Sequence, residues 1–325
     1  RNPVQNYIAN WNNRPSADWI SSDLWTYTWG RADRGRILFN LLEQPGSPSV
    51  ARVREINRVA AFADVSAPFM LPYLFAAWEV SQPSPLEREA LSSLREWDRQ
   101  WRVNASGYYG PPPALMEAWL RGLLQQAIRD DIGQQFFHLY ASTNYPHKAL
   151  GPSIPNPPGI KALLRNLDDL QASHEPDFDF FNGEDAHAVI RRSFSAAVTE
   201  LSGEFGTQVS GWRLRAHPMQ WRPYNYRGVP QALPAETRSL PAYMNRGSEN
   251  NLFVASGDGI VGQDSIPPGQ SGFVAPDGKA DAHSADQLQM FAEFRYKRIP
   301  FTLDEVEAAA STIEVLRLPY QGTSE

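Results

Sequence analysis

The side chains that most often carry chemistry are sparse in this chain of 325 residues, which has six histidines and no cysteine. His138, His147, His174, His187, His217 and His283 include no pair four residues apart, so no helix presents two zinc ligands on one face. The lack of cysteine excludes a disulfide scaffold, a thiolate zinc site and a cysteine nucleophile. Neither a Gly-x-Ser-x-Gly elbow nor a phosphate-binding Walker loop occurs. The run Gly257-Asp258-Gly259-Ile260-Val261-Gly262 matches a dinucleotide fingerprint, but that site needs a helix to open there. The chain continues into Ile266-Pro267-Pro268-Gly269, which no helix interior accepts, so the run reads as a glycine-rich turn. Asp130-Asp131 and Asp168-Asp169 fall on predicted helix surfaces and read as solvated acids. A glycosidase would need two inward carboxyls roughly 5–10 Å apart, and no such pair stands out.

The elements that would have to position a site fall into three stretches: residues 1–44, 45–205 and 206–325. In the first, Tyr7-Ile8-Ala9 reads as a short strand running into the polar turn Asn10-Trp11-Asn12-Asn13-Arg14-Pro15. Asp33 to Gln44 has helical spacing, with Ile37, Leu38, Leu41 and Leu42 on one side. The second stretch is mainly helical. Its apolar faces are Val50, Val53, Val59 and Ala60; Leu86, Ala90, Leu94, Trp97 and Trp101; Leu115, Trp119, Leu123, Ala127 and Ile128; and Val189, Ile190, Phe194, Ala197, Val198 and Leu201. The tryptophans on those faces read as core, not as a carbohydrate platform. In the third stretch, short apolar runs such as Leu252 to Ala255 are bounded by Gly, Asn and Asp, as strands are. Helices are expected at His283 to Lys297 and Leu303 to Ser311, and a closing strand at Thr312 to Leu318. Strand, helical insert, then strands with late helices makes the fold class α+β.

The chain is 42% hydrophobic and 12% aromatic, enough for a large core. With 30 basic and 36 acidic residues and no basic run, nucleic acid is not an expected partner. No apolar stretch approaches the roughly 18 residues of a membrane span, so no membrane association is expected. The chain opens on Arg1 without a leader and reads as a processed or excised piece, with any export signal upstream.

Several runs resemble the penicillin amidase family. At the start these are Tyr7 to Pro15, Ser22-Asp23-Leu24 and Trp29-Gly30-Arg31-Ala32-Asp33-Arg34. Toward the end they are Gly228-Val229-Pro230-Gln231-Ala232, Glu236-Thr237-Arg238, Asn245-Arg246-Gly247-Ser248-Glu249-Asn250, Pro268 to Phe273 and Ala275-Pro276-Asp277-Gly278. The middle, about 45 to 220, carries no diagnostic motif.

The resemblance implies an N-terminal nucleophile hydrolase: an αββα sandwich with a large helical insert, matured by autocatalytic cleavage of a zymogen. This chain would be the C-terminal part of the large chain. Its partners would be the small chain and the N-terminal part of the large chain. The nucleophilic serine would lie upstream, so the piece alone would be inactive. Asn12 matches the family's oxyanion-hole asparagine. Arg34 matches the arginine that holds that amide in orientation, a role suited to a guanidinium that only donates. Asp23 matches a carboxylate ligand of a structural calcium, although it would equally serve as a helix N-cap. No organic cofactor is implied. The substrate would be a small linear amide joining a hydrophobic acyl group, phenylacetyl foremost, to an amine such as a β-lactam nucleus, which ties the activity to antibiotic resistance. Acyl-homoserine lactones or lipopeptides are the enzymatic alternative, and a binding protein that kept the fold is the non-enzymatic one. A periplasmic or secreted location is expected from the family.

Overall fold

A computed structural model describes residues 4–11, 13, 14, 16, 19, 32, 34–46, 49–140, 158–216, 219–221, 238–240, 249–267, 269–271, 275–277, 279 and 281–315. The chain divides into two compact units, Arg1–Gly247 and Ser248–Glu325.

The first unit is built on helices α1 (Arg34–Leu42), α2 (Val50–Phe62), α3 (Ala67–Glu79) and α4 (Pro85–Glu96). After the short strand β1 (Tyr108–Tyr109) come α5 (Pro111–Ala127), α6 (Arg129–Tyr140, broken at Gly133), α7 (Pro158–Gln171) and α8 (Ala186–Phe205). Each start has a local cause. Before α4, Ser84 Oγ accepts from the Glu87 amide while the Glu87 carboxylate accepts from the Ser84 amide, at 3.3 and 2.8 Å. Pro85 then supplies the fixed φ of a first helical residue. Asp185 caps α8 by accepting from the His187 amide at 3.1 Å.

The core lies where α5 and α8 pack along each other with α3 and α4 beside them. Leu115, Trp119 and Leu123 of α5 and Ile190 and Phe194 of α8 are fully buried, and Phe194 meets Trp78 edge-on at 6.4 Å. The expected α8 face is buried along its whole length. The expected α2 face is buried only in part: Ala60 is enclosed and Val59 half-buried, but Val50 and Val53 are exposed, and Ile56 and Ala61 are buried in their place. A thirteen-residue helix with polar residues on most sides leaves its facing to its neighbours, and here Arg52 is drawn toward α1, donating to the Leu41 carbonyl at 3.0 Å. Trp101 and Trp119 are core, as expected.

The aspartate pairs are only partly free surface. Tyr73 donates its hydroxyl to Asp168, and Asp130 accepts from Asn182 Nδ2 at 3.0 Å.

The sequence gives no warning of Asp64, a carboxylate buried between α2 and α3. It accepts from the Ser66 and Ala67 amides, each at 2.7 Å, and from the Trp101 indole at 2.8 Å. Burial holds its pKa above the ordinary carboxylate value, and these three donors oppose that shift only in part.

Strand β2 (Leu214–Arg215) pairs antiparallel with β1, which ties the chain beyond residue 205 to the helical unit. Next come β3 (Met219–Trp221) and β4 (Arg238–Leu240), also an antiparallel pair. The second unit holds β5 (Asn250–Ser256) and β6 (Gly259–Ser265), joined by a two-residue turn at Gly257-Asp258. That turn is the glycine-rich run, here a hairpin and not a phosphate loop. Helix α9 (Leu288–Ala292), strand β7 (Lys297–Ile299) against β6, and α10 (Leu303–Ala309) complete it. Among the described residues, no helix is long and apolar enough to cross a membrane.

Three expected elements differ. Tyr7 to Ala9 forms no strand: Ile8 is 86% exposed, and an isolated extended segment has no ladder to join. The helix expected from His283 to Lys297 shrinks to a 3-10 turn at Ala282–Ser284 and to α9. Phe294, with φ of 55°, ends that helix and turns the chain into β7. Thr312 to Val315 carries no strand, with Ile313 and Val315 exposed; residues 316–318 lie outside the described residues.

Candidate functional site

Of the three residues expected at the site, Asn12 and Asp23 lie outside the described residues. Arg34 opens α1, and its side chain also lies outside them. Trp11 and Asn13 on either side of Asn12, and Gly35 after Arg34, are described, and these show how the two segments meet.

Asn13 clamps the turn. Its Oδ1 accepts from the Trp11 amide at 2.9 Å, and its Nδ2 donates to the Arg14 carbonyl at 3.3 Å. One side chain thus ties the backbone before residue 12 to the backbone after it, the local bonding that makes Asn a turn former. Beyond it, Arg14 Nε donates to the Trp19 carbonyl at 2.6 Å, and the Trp19 amide donates to the Ser16 carbonyl at 3.2 Å.

The same Asn13 packs on the start of α1. A Cβ built on Gly35 would stand 2.9 Å from Asn13 Cβ, 3.1 Å from its Oδ1 and 3.2 Å from its Cγ. Real Cβ atoms do not approach that closely, so Gly35 is where the turn seats against the helix. Gly35 directly follows Arg34, and Asn13 directly follows Asn12. The fold therefore brings together the two segments expected to hold the oxyanion asparagine and its supporting arginine.

That seat is anchored. Gly35 is buried, and Ala32 lies wholly inside the core cluster that α3, α5 and α8 share. Just beyond the other end of α1, the Tyr7 hydroxyl donates to the Glu43 carboxylate at 3.5 Å.

Calcium demands roughly six to eight oxygen ligands. Among the described residues, no group of three or more acidic or histidine side chains is placed to hold a metal. His283 has an acid partner, Asp286 at 2.8 Å, and the pair is solvent-exposed in the second unit.

Sequence reasoning missed Asn13 and Gly35. Their signals were an asparagine doublet in a turn and a glycine directly after the arginine, but only their contact across 22 positions gives them meaning.

The model of the penicillin amidase family matches residues 1–308 of the chain. The chain belongs to the penicillin amidase family. Penicillin G acylase of Escherichia coli is 33% identical over 325 residues, an alignment covering 98% of this chain and 38% of that protein. A solved structure, a thermostable penicillin G acylase from Alcaligenes faecalis, superposes with a TM-score of 0.86 at 29% identity. It covers 98% of this chain, which spans 58% of that one. The fold is thus the α+β fold of an N-terminal nucleophile hydrolase, and the chain spans less than two thirds of either relative. The match therefore falls on one segment of each of these longer relatives.

Proposed function

We propose that the chain forms part of an amidase that hydrolyses a linear amide between a hydrophobic acyl group, phenylacetyl in particular, and an amine such as a β-lactam nucleus. The nucleophile is an N-terminal serine outside these 325 residues, and the remaining small- and large-chain segments are the partners. A free α-amine with a pKa of about 7.7–8.0 can take the serine proton at neutral pH, so no histidine triad is required. The Asn12 side-chain N–H donates to the oxygen of the tetrahedral intermediate, and Arg34 holds the amide oxygen away from it. The family match along residues 1–308 supports the reading, together with the seating of the Asn13 turn on the start of α1. Asp23 contributes one oxygen to a structural calcium whose other ligands come from elsewhere in the protein. Zymogen maturation and a periplasmic or secreted location complete the proposal.

The test begins with the full-length precursor: self-cleavage measured by mass, then turnover of a chromogenic phenylacetyl anilide. Asn12→Ala is expected to lower kcat by roughly 10²–10³-fold with the fold intact; near-normal turnover refutes the assignment. Acyl-homoserine lactones and lipopeptides in the same assay decide acyl choice. A mature large chain that begins with a residue unable to act as nucleophile would instead mark a binding protein. Asp23→Ala is expected to lower calcium content and to accumulate uncleaved precursor; normal values of both would exclude the metal role.

A further inference from the structure

We infer that Asn13 and Gly35 are positioning residues for the oxyanion donor: their contact transmits the rigidity of the helical core to residue 12. The inference rests on the proposed role of Asn12 and adds the means by which that role is set. The path is continuous. Ala32 is fixed in the core cluster, Gly35 sits three residues on at the buried start of α1, and Asn13 lies so close that a Cβ on Gly35 would stand 2.9 Å from its own Cβ. The Asn13 amide then holds both the Trp11 N–H and the Arg14 C=O, so the backbone on each side of residue 12 follows wherever Asn13 is placed.

An oxyanion donor works by preorganisation. It must already lie at hydrogen-bond distance from where the charge will develop, and a shift of about 1 Å can cost on the order of 10²-fold in rate. A glycine at position 35 is otherwise a poor choice inside a helix, where alanine is the better former. Its φ is not in the left-handed region that would require glycine. Close approach by Asn13 is the reason left.

Both sides of the contact can be changed in the full-length protein. Gly35→Ala adds a Cβ that displaces Asn13, and thermal melting of the same variant separates a loss of activity from a loss of the fold. The expected result is roughly a tenfold or greater fall in kcat with KM within about twofold, the signature of an interaction made only in the transition state. Asn13→Gly removes the clamp and is expected to lower kcat similarly. In the double variant, Gly35→Ala adds no further loss, because the side chain it displaced is gone. Full additivity, or unchanged kcat in both single variants, overturns the inference.

A second measurement works even if a variant fails to self-cleave. Hydrogen exchange at the Trp11 amide, which Asn13 holds, is expected to speed up in Gly35→Ala; an unchanged rate also overturns the inference. Loss of turnover in Asn12→Ala with normal Gly35→Ala and Asn13→Gly removes this inference alone. Normal turnover in Asn12→Ala removes the reading beneath it.

Discussion

The two units bury opposite kinds of residue. In the helical unit, the largest side chains are the most enclosed: Trp119 and Phe194 are 0% exposed, with Leu115, Leu123 and Ile190 around them. In the second unit, Phe291 is the large apolar side chain that is fully enclosed among the described residues. Its hairpin instead buries Asn250, Asp264 and Ser265, while Phe253 is 56% and Ile260 53% exposed. Cohesion there leans on polar ties. Lys297 meets Asp264 at 3.0 Å, His283 meets Asp286 at 2.8 Å, and Arg298 pairs with Glu305. The difference teaches where stability arises. Burial of apolar area at about 25 cal/mol per Å² supports the helical unit, whereas solvent-exposed pairs such as His283–Asp286 and Arg298–Glu305 contribute little. The unit that seats the candidate site is thus the one with the deep core.

The same substitution made in both units tests this contrast most strongly. Phe194→Ala empties a closed site and removes the edge-on contact with Trp78, and should cost about 4 kcal/mol in denaturant unfolding of the full-length protein. Phe253→Ala removes a ring already half in water, touching Phe301 at a centroid distance of 5.9 Å, and should cost about 1 kcal/mol. Equal costs would break the comparison, since they would mean that Phe253 is covered in the whole protein.

What was legible follows the same division. The α8 stripe from Val189 to Leu201 could be read from spacing because one helix face against one core is a local pattern. The α4 stripe could be read as far as Leu94, but Trp101 lies beyond the helix end and packs on Tyr109 at 5.0 Å, a contact no periodicity encodes. Asp64 escaped notice because its donors, Ser66, Ala67 and Trp101, combine a local turn with a partner 37 positions away. In the second unit, apolar and β-branched residues near the end suggested a strand, but strand formation depends on having a neighbour to pair with. The site was legible only as motif. Asn12 and Arg34 came from resemblance, whereas the meeting of their two segments emerges from Asn13 and Gly35.

A smaller effect concerns Gly262, where an added Cβ would stand 2.3 Å from Phe301 Cε2 and 3.1 Å from Phe253 Cδ1. In a closed core such overpacking costs about 1–3 kcal/mol. Phe301 is 45% exposed and its ring can swing into water, so Gly262→Ala should fall at the low end, about 1 kcal/mol by thermal melting. A much larger loss would show the face to be closed, and would break the comparison from the other side.

The smallest expected effect is a pH dependence confined to the second unit. The hydrogen bond to Asp286 raises the His283 pKa above its ordinary 6.5; the charges of Asp286 and Asp281 add to this and Lys297 opposes it. A pKa raised in the folded state means that the folded form holds the proton more tightly. The contribution is therefore complete below about 6.5 and is lost as pH rises through the higher folded value. Asp281 also accepts from the His283 amide at 2.7 Å, a bond that does not titrate, so the 3-10 turn itself should persist across this range. Comparing the protein with its Asp286→Asn variant by hydrogen exchange across α9 should show greater protection in the unmodified protein at pH 6. The gap should close by pH 8 and shrink in high salt, because the pair is exposed and screened. A gap that widens with pH would mean that His283 titrates in the opposite sense. The tie between the 3-10 turn and α9 would then have to come from groups other than this pair.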